Sequence, residues 1–133
     1  IASTVAVLNP IDVTRVNNKA VTSANTPIVD LASVFGSVNN YSGILNILAS
    51  NGVPTSGSLY NSAAYVLLVT RTAGSSTVVE IAKNGLTTGG GASHPSFTWA
   101  INNGTNKLEA TPVGSTSGNF YFYIGQLGSL SAS

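Results

Sequence analysis

The chain has 133 residues, of which 7% are charged against about 25% in an average soluble domain, and a formal net charge of only +1. The five cations (Arg15, Lys19, Arg71, Lys83, Lys107) are scattered, so no basic patch is available for a row of phosphates, and nucleic acid is disfavoured as a partner. No apolar run reaches the length that spans a bilayer, and the absence of cysteine excludes disulfides and thiolate metal sites.

Short runs of Val, Ile, Thr and Tyr, punctuated by Asn-Gly and Gly-Ser, predict an all-β domain rather than long helices. In chain order the predicted strands cover 3–8, 12–16, 44–50, 63–72, 76–82, 96–102, 107–111 and 119–125, while "IVDLASVF" at 28–35 fits either a strand or one helical turn. The expectation is a single domain over 1–133, a jelly-roll-like antiparallel β-sandwich of about eight to ten strands, with 1–20 open to reading as a stem or linking segment. The N-terminal "IASTVAVLNP" lacks the basic start of a signal peptide, and a chain beginning at Ile1 looks like a processed or excised piece.

Turn positions then predict register. With Asn103-Gly104 as a two-residue turn, Trp99 faces Leu108, Phe97 faces Ala110 and Thr98 faces Glu109. A symmetric loop at 112–118 would next set Leu108 against Phe122, Ala110 against Phe120, Glu109 against Tyr121 and Lys107 against Tyr123. Phe120, Phe122 and Ile124 therefore join Phe97, Trp99 and Leu108 in the core, and Tyr121 and Tyr123 face outward.

With Ala73-Gly74 as the turn of the hairpin at 63–83, Leu68 pairs with Val79 and Val66 with Ile81, yet the reverse face carries Tyr65, Leu67, Val69 and Val78. Both faces are apolar, which predicts that one of them is covered by a neighbouring subunit. The expected assembly is a homotrimer in which Tyr65, Leu67, Val69 or Val78, or else Tyr121 and Tyr123, lie under another chain.

Catalytic chemistry finds few carriers. The acids Asp12, Asp30, Glu80 and Glu109 are dispersed, and the inferred registers do not bring Glu80 and Glu109 together as a proton-transfer pair. His94 is the sole histidine, in the loop "TTGGGASHPS", and no serine lies in a G-x-S-x-G turn. The Gly89–Gly91 run lacks the lysine of a phosphate loop, one histidine without cysteine cannot furnish a transition-metal site, and no calcium-loop spacing occurs. The glycosylation-type matches at Asn40 and Asn103 arise by chance in so Asn-, Ser- and Thr-rich a chain. The expectation is a non-enzymatic protein with no cofactor and no metal.

Recognition of a neutral polar ligand remains. Sugars are held by an aromatic face against the ring, with amides and hydroxyls around it, and such groups cluster at Tyr41, Tyr60, Asn61, Tyr121 and Tyr123. Trp99 has the same chemistry but is claimed by the predicted core.

The runs "YNSAAYVLLVTRTAGSSTVVEIAKNG" and "FTWAINNGTNKLEATPVGSTSGNFYFYIGQLG" resemble the C-terminal modules of bacteriophage tail spikes and tail fibres. The resemblance spans residues 43–128 and consists of pattern: strand, Gly-Ser turn, strand, then a final aromatic strand ending in glycine. It implies a trimeric jelly roll on the virion surface or otherwise extracellular, binding host cell-surface polysaccharide as a receptor-binding module, without membrane insertion. In tail spikes the polysaccharide-cleaving groups belong to a β-helix outside the resembling segment. A second resemblance, to trimeric heads of the tumour-necrosis-factor-like type, implies the alternative of a structural trimerisation cap without a ligand.

Overall fold

The structure is a computed structural model describing residues 13–36, 39–51, 61–87, 95–114, 116 and 118–132. The strand expected at 3–8, most of the stem-like segment, Asp12, Tyr60, the Gly89–Gly91 run and His94 lie outside the described residues. Among the described residues eight strands and one short helix follow in order: β1 Val13–Val21, β2 Thr26–Asp30, α1 Leu31–Phe35, β3 Asn40–Ser50, β4 Asn61–Thr72, β5 Ser75–Thr87, β6 Phe97–Asn102, β7 Lys107–Pro112 and β8 Gly118–Ala132. They form two antiparallel sheets, one ordered β1-β8-β3-β4-β5 and the other β2-β7-β6. The expected β-sandwich is met, with its strands split five and three.

Strict alternation builds the core. Tyr41, Leu45, Ile47 and Ala49 of β3, Ala63, Tyr65, Leu67 and Val69 of β4, and Phe120, Phe122 and Ile124 of β8 point inward from the five-stranded sheet. Phe97, Leu108 and Ala110 meet them from the other sheet, with Trp99 and Ile101 partly buried beside them. Phe97 is the hub, its ring centroid 5.1 Å from Phe120, 5.6 Å from Phe122 and 5.9 Å from Trp99. Tilted and edge-on contacts of this kind add to burial because the positive ring edge meets a negative ring face.

Residues 28–35 contain both of the forms the sequence left open. β2 ends at Asp30, whose side chain accepts a hydrogen bond from the Ala32 nitrogen at 3.0 Å and so starts a helical turn. Gly36, in the left-handed region at φ 70°, stops that turn by donating to the Ala32 carbonyl. Pro27 is tolerated because β2 is an edge strand and the register shifts immediately after it.

The hairpin of β4 and β5 turns at Ala73-Gly74 as expected, with φ of 51° and 83°. Two positive φ values give the turn whose twist matches the flanking strands. The turn is held from β3, since Asn40 Oδ1 accepts from the Ala73 nitrogen and the Asn39 carbonyl accepts from Gly74. Leu68 pairs with Val79, but a bulge places Val66 opposite Ala82 rather than Ile81.

Two register expectations are corrected. The β6–β7 turn has four residues, not two, so Trp99 pairs with Ala110 and Ile101 with Leu108. Asn102 causes this: its Oδ1 accepts from Gly104 and Thr105, and its carbonyl accepts from Asn106, which sits at φ 56°. The slip is two residues, and so each side chain keeps its face. Second, β8 does not pair with β7 but inserts between β1 and β3. Leu108 and Ala110 therefore belong to the opposite sheet from Phe120 and Phe122, not to an adjacent strand.

Candidate functional site

The outer face of the five-stranded sheet gathers two of the predicted binding residues. Because β8 lies beside β3, Tyr123 pairs with Leu48, which pairs with Ala64, which pairs with Asn84. One step along, Tyr121 pairs with Ser50 and Ser50 with Ser62. In the other direction come Asn46, Val66 and Ala82, then Ile44, Leu68 and Val79, then Ser42, Thr70 and Thr77.

The face is thus an apolar band bordered by hydroxyls and amides. Leu48 is 45% exposed, Leu68 38%, Val79 52% and Tyr123 38%, while Tyr121 is half-buried. Small side chains at Ser62 and Ala64 leave a shallow open depression of about 360 Å³, lined by Leu48, Ser62, Ala63, Ala64, Asn84 and Gly85. Among the described side chains of these rows none is charged. The ion pair of Lys83 and Glu80 on the edge strand, at 3.8 Å and largely exposed, contributes little.

The structure separates the other predicted binding residues from this face. Tyr41 is 3% exposed, stacks on Phe35 at 4.5 Å and donates its hydroxyl proton to Asn106 Oδ1 at 2.6 Å. Burial raises its pKa, as does the charge of Asp30 to a lesser degree, against the lowering effects of a Ser76 hydrogen bond and the Arg71 guanidinium. Tyr41 belongs to a polar fastening at one end of the sandwich and offers no ring to a sugar. Arg71 completes that fastening by donating to Ser76 Oγ at 2.7 Å and to the Asn103 carbonyl at 3.1 Å, which ties the β4–β5 turn to the β6–β7 turn.

Asn61 is likewise turned inward at 7% exposure, with its side-chain oxygen buried and without a hydrogen-bond partner. Its backbone nitrogen donates to Asn51 Oδ1 at 2.9 Å. Trp99 packs edge-on to Tyr65 at 5.4 Å, as its predicted place in the core requires, and buries an indole nitrogen that lacks an acceptor. Tyr65, Leu67 and Val69, expected as candidates for cover by another chain, are filled against this domain's own core; the outward apolar face is the one bearing Ile44, Val66, Leu68 and Val79.

The described acids are apart. Asp30 caps α1, Glu80 pairs with Lys83 on β5, and Glu109 accepts a 3.3 Å hydrogen bond from Asn102 in the other sheet. No group of three metal-ligating side chains occurs among the described residues, and no helix there is long and apolar enough to cross a membrane. What the outer face can do is bind, through apolar contact with hydrogen-bonding groups at its margin.

Sequence reasoning missed Ile44, Leu48, Ser62, Ala64 and Asn84 as members of this face. The signal was present in the alternation of residues 44–50, but placing it beside Tyr121 and Tyr123 requires the long-range pairing of β3 with β8.

No protein-family model and no curated protein matches the chain. Over its whole length it is similar to part of a solved structure, the tailspike protein of Acinetobacter phage vB_ApiP_P1, with 34% identity and a TM-score of 0.65. The chain spans about a quarter of that protein, covering 24% of it.

Proposed function

We propose that this chain is a module of a phage tail spike or tail fibre, displayed on the virion surface as a homotrimer, that recognises host cell-surface saccharide and performs no catalysis. The likeness to a tailspike over the full chain supports a tail-associated role, structural or receptor-binding. The observation that carries the binding reading is the outer sheet face, where Tyr121 and Tyr123 stand beside Ser50, Ser62, Leu48 and Asn84 in rows whose described side chains carry no charge, with Arg15 of β1 the register partner of Tyr123. Aromatic rings and hydroxyls suit a neutral, hydroxylated ligand. Three weak sites on one axis would engage a repeating polymer far more tightly than one.

The assembly reading rests on the rows Ile44–Leu68–Val79 and Asn46–Val66–Ala82, where a monomer would leave large aliphatic side chains in water. These rows lie beyond Tyr123 on the side away from Tyr121, so cover by another copy there leaves the Tyr121 margin accessible. The same rows favour a second reading, a trimerisation cap with no ligand.

Host-cell and glycan-array binding by the wild type, Tyr121→Ala and Tyr123→Ala separates the two. Loss of binding with unchanged subunit number supports saccharide recognition. Absence of wild-type binding across host glycans, with a trimeric mass, supports the cap. Glycan cleavage by the isolated chain, abolished by Glu80→Gln or Glu109→Gln, would overturn both.

A further inference from the structure

Three Asn-Gly pairs occur in the chain, at 51–52, 84–85 and 103–104, and the structure describes both residues of the last two. Such pairs are chemically labile because glycine carries no side chain to shield its nitrogen from the asparagine carboxamide. The fold treats the two described pairs differently.

At 103–104 the reacting groups are turned apart. The Asn103 side-chain oxygen accepts from the Ser76 nitrogen at 2.9 Å, while the Gly104 nitrogen donates to Asn102 Oδ1 at 2.9 Å. Arg71 also holds the Asn103 carbonyl. Nucleophile and electrophile each have another partner, and rotating either toward the other breaks a hydrogen bond.

At 84–85 they are turned together. The Gly85 nitrogen donates to Asn84's own Oδ1 at 2.8 Å, so the carboxamide already lies against the nucleophilic nitrogen and the contact that must give way before attack on Cγ is internal to the pair. Asn84 is exposed, on a strand that among the described residues pairs only with β4, so solvent base reaches the site.

We propose that Asn84 is a site of spontaneous succinimide formation and deamidation in the folded protein, ahead of Asn103. The Gly85 nitrogen gives its proton to solvent base and forms a bond to Cγ of Asn84. The Cγ–Nδ2 bond breaks, and ammonia leaves with a proton taken from water. Water then adds to one of the two ring carbonyls, opening the succinimide to aspartate or, with the chain rerouted through the side chain, to isoaspartate. No electrons are transferred and water is the only co-reactant.

The product places a carboxylate in the depression lined by Leu48, Ser62 and Ala64, on rows whose described side chains carry no charge. The rows proposed to meet a second copy begin at Asn46–Val66–Ala82, one row from Asn84, so the charge stands at the margin of that interface and weakens assembly where the cover extends to it. This consequence rests on the assembly reading; the modification itself does not.

The test incubates the intact chain at mildly alkaline pH and maps ammonia loss and its hydrolysed products by peptide mass spectrometry, with a parallel sample held unfolded in denaturant. In the folded protein modification at Asn84 is expected to outpace that at Asn103 by about tenfold, and in the unfolded sample the two rates converge. Asn84→Gln abolishes the reaction at this position while Asn103 reacts as before. Equal rates in the folded protein, or faster reaction at Asn103, would overturn the proposal. Measuring subunit number on the same aged sample separates the two claims, since modification without loss of assembly leaves the deamidation proposal standing and sets the edge of the interface short of Asn84.

Discussion

Tyr65→Phe removes one oxygen atom from the centre of the sandwich. Tyr65 is 1% exposed on β4, and its hydroxyl accepts a 2.9 Å hydrogen bond from the backbone nitrogen of Phe97, itself 1% exposed, on the opposite sheet. Among the described residues β6 is an edge strand paired only with β7, so this hydroxyl fastens its first residue across the core. The ring's edge-on contact with Trp99 survives the substitution. What remains is a buried N–H with no acceptor, a loss of about 1–3 kcal/mol, partly offset because a buried hydroxyl has also gone. A net loss of about 1–2 kcal/mol, divided by a urea m-value of about 2 kcal/mol/M, moves the unfolding midpoint down by roughly 0.5–1 M. Tyr121→Phe, on the outer face, should change stability by no more than about 0.5 kcal/mol. Both variants are unfolded in urea against the wild type at one protein concentration, since any assembly adds to apparent stability. A loss below about 0.3 kcal/mol in Tyr65→Phe with an unchanged m-value would refute the bond's role.

The Ala73-Gly74 turn gives a paired expectation. Gly74→Ala should cost about 1 kcal/mol from its φ of 83° alone, since the added carbon would meet Arg71 only at an ordinary 3.8 Å, whereas Ala73→Asn should stabilise by several tenths because asparagine tolerates positive φ; thermal melts of both variants check the signs. Tyr41 sets an alkaline limit. Burial raises its pKa above the usual 10.0, so the fold favours the neutral phenol, and its contribution is complete below pH 10 and lost as pH rises through the raised value. Urea midpoints measured from neutral pH upward should therefore fall more steeply in the wild type than in Tyr41→Phe, and parallel curves would contradict the assignment.

The core and the hairpins were largely legible because they depend on local pattern. Alternation alone places Phe120, Phe122 and Ile124 inside and Tyr121 and Tyr123 outside, and the Ala73-Gly74 turn pairs Leu68 with Val79. The four-residue turn at 103–106 was missed because Asn102, not Asn103-Gly104, organises it, yet a slip of two left every face intact. Strand order was less accessible. Placing β8 against β3, some 80 residues earlier in the chain, depends on sheet-wide packing that no turn signals. The same gap explains the site. Tyr41 and Asn61 carry binding-type side chains, but their inward parity on β3 and β4 becomes visible only once the core face of those strands is known. Tyr121 and Tyr123 were placed outward from their own strand, while their neighbours Leu48 and Ser50 required the fold.

Sedimentation equilibrium at micromolar concentration addresses the central claim most directly, because both the saccharide-binding and the cap readings require the outer sheet face to be shared between copies. The account predicts three times the 13.5 kDa of one chain for the wild type. It further predicts a return to the single-chain mass, with an unchanged far-ultraviolet spectrum, when the cross-strand neighbours Leu68→Asp and Val79→Asp are combined. A wild-type mass of 13.5 kDa, or a trimer that both substitutions leave intact, would contradict it.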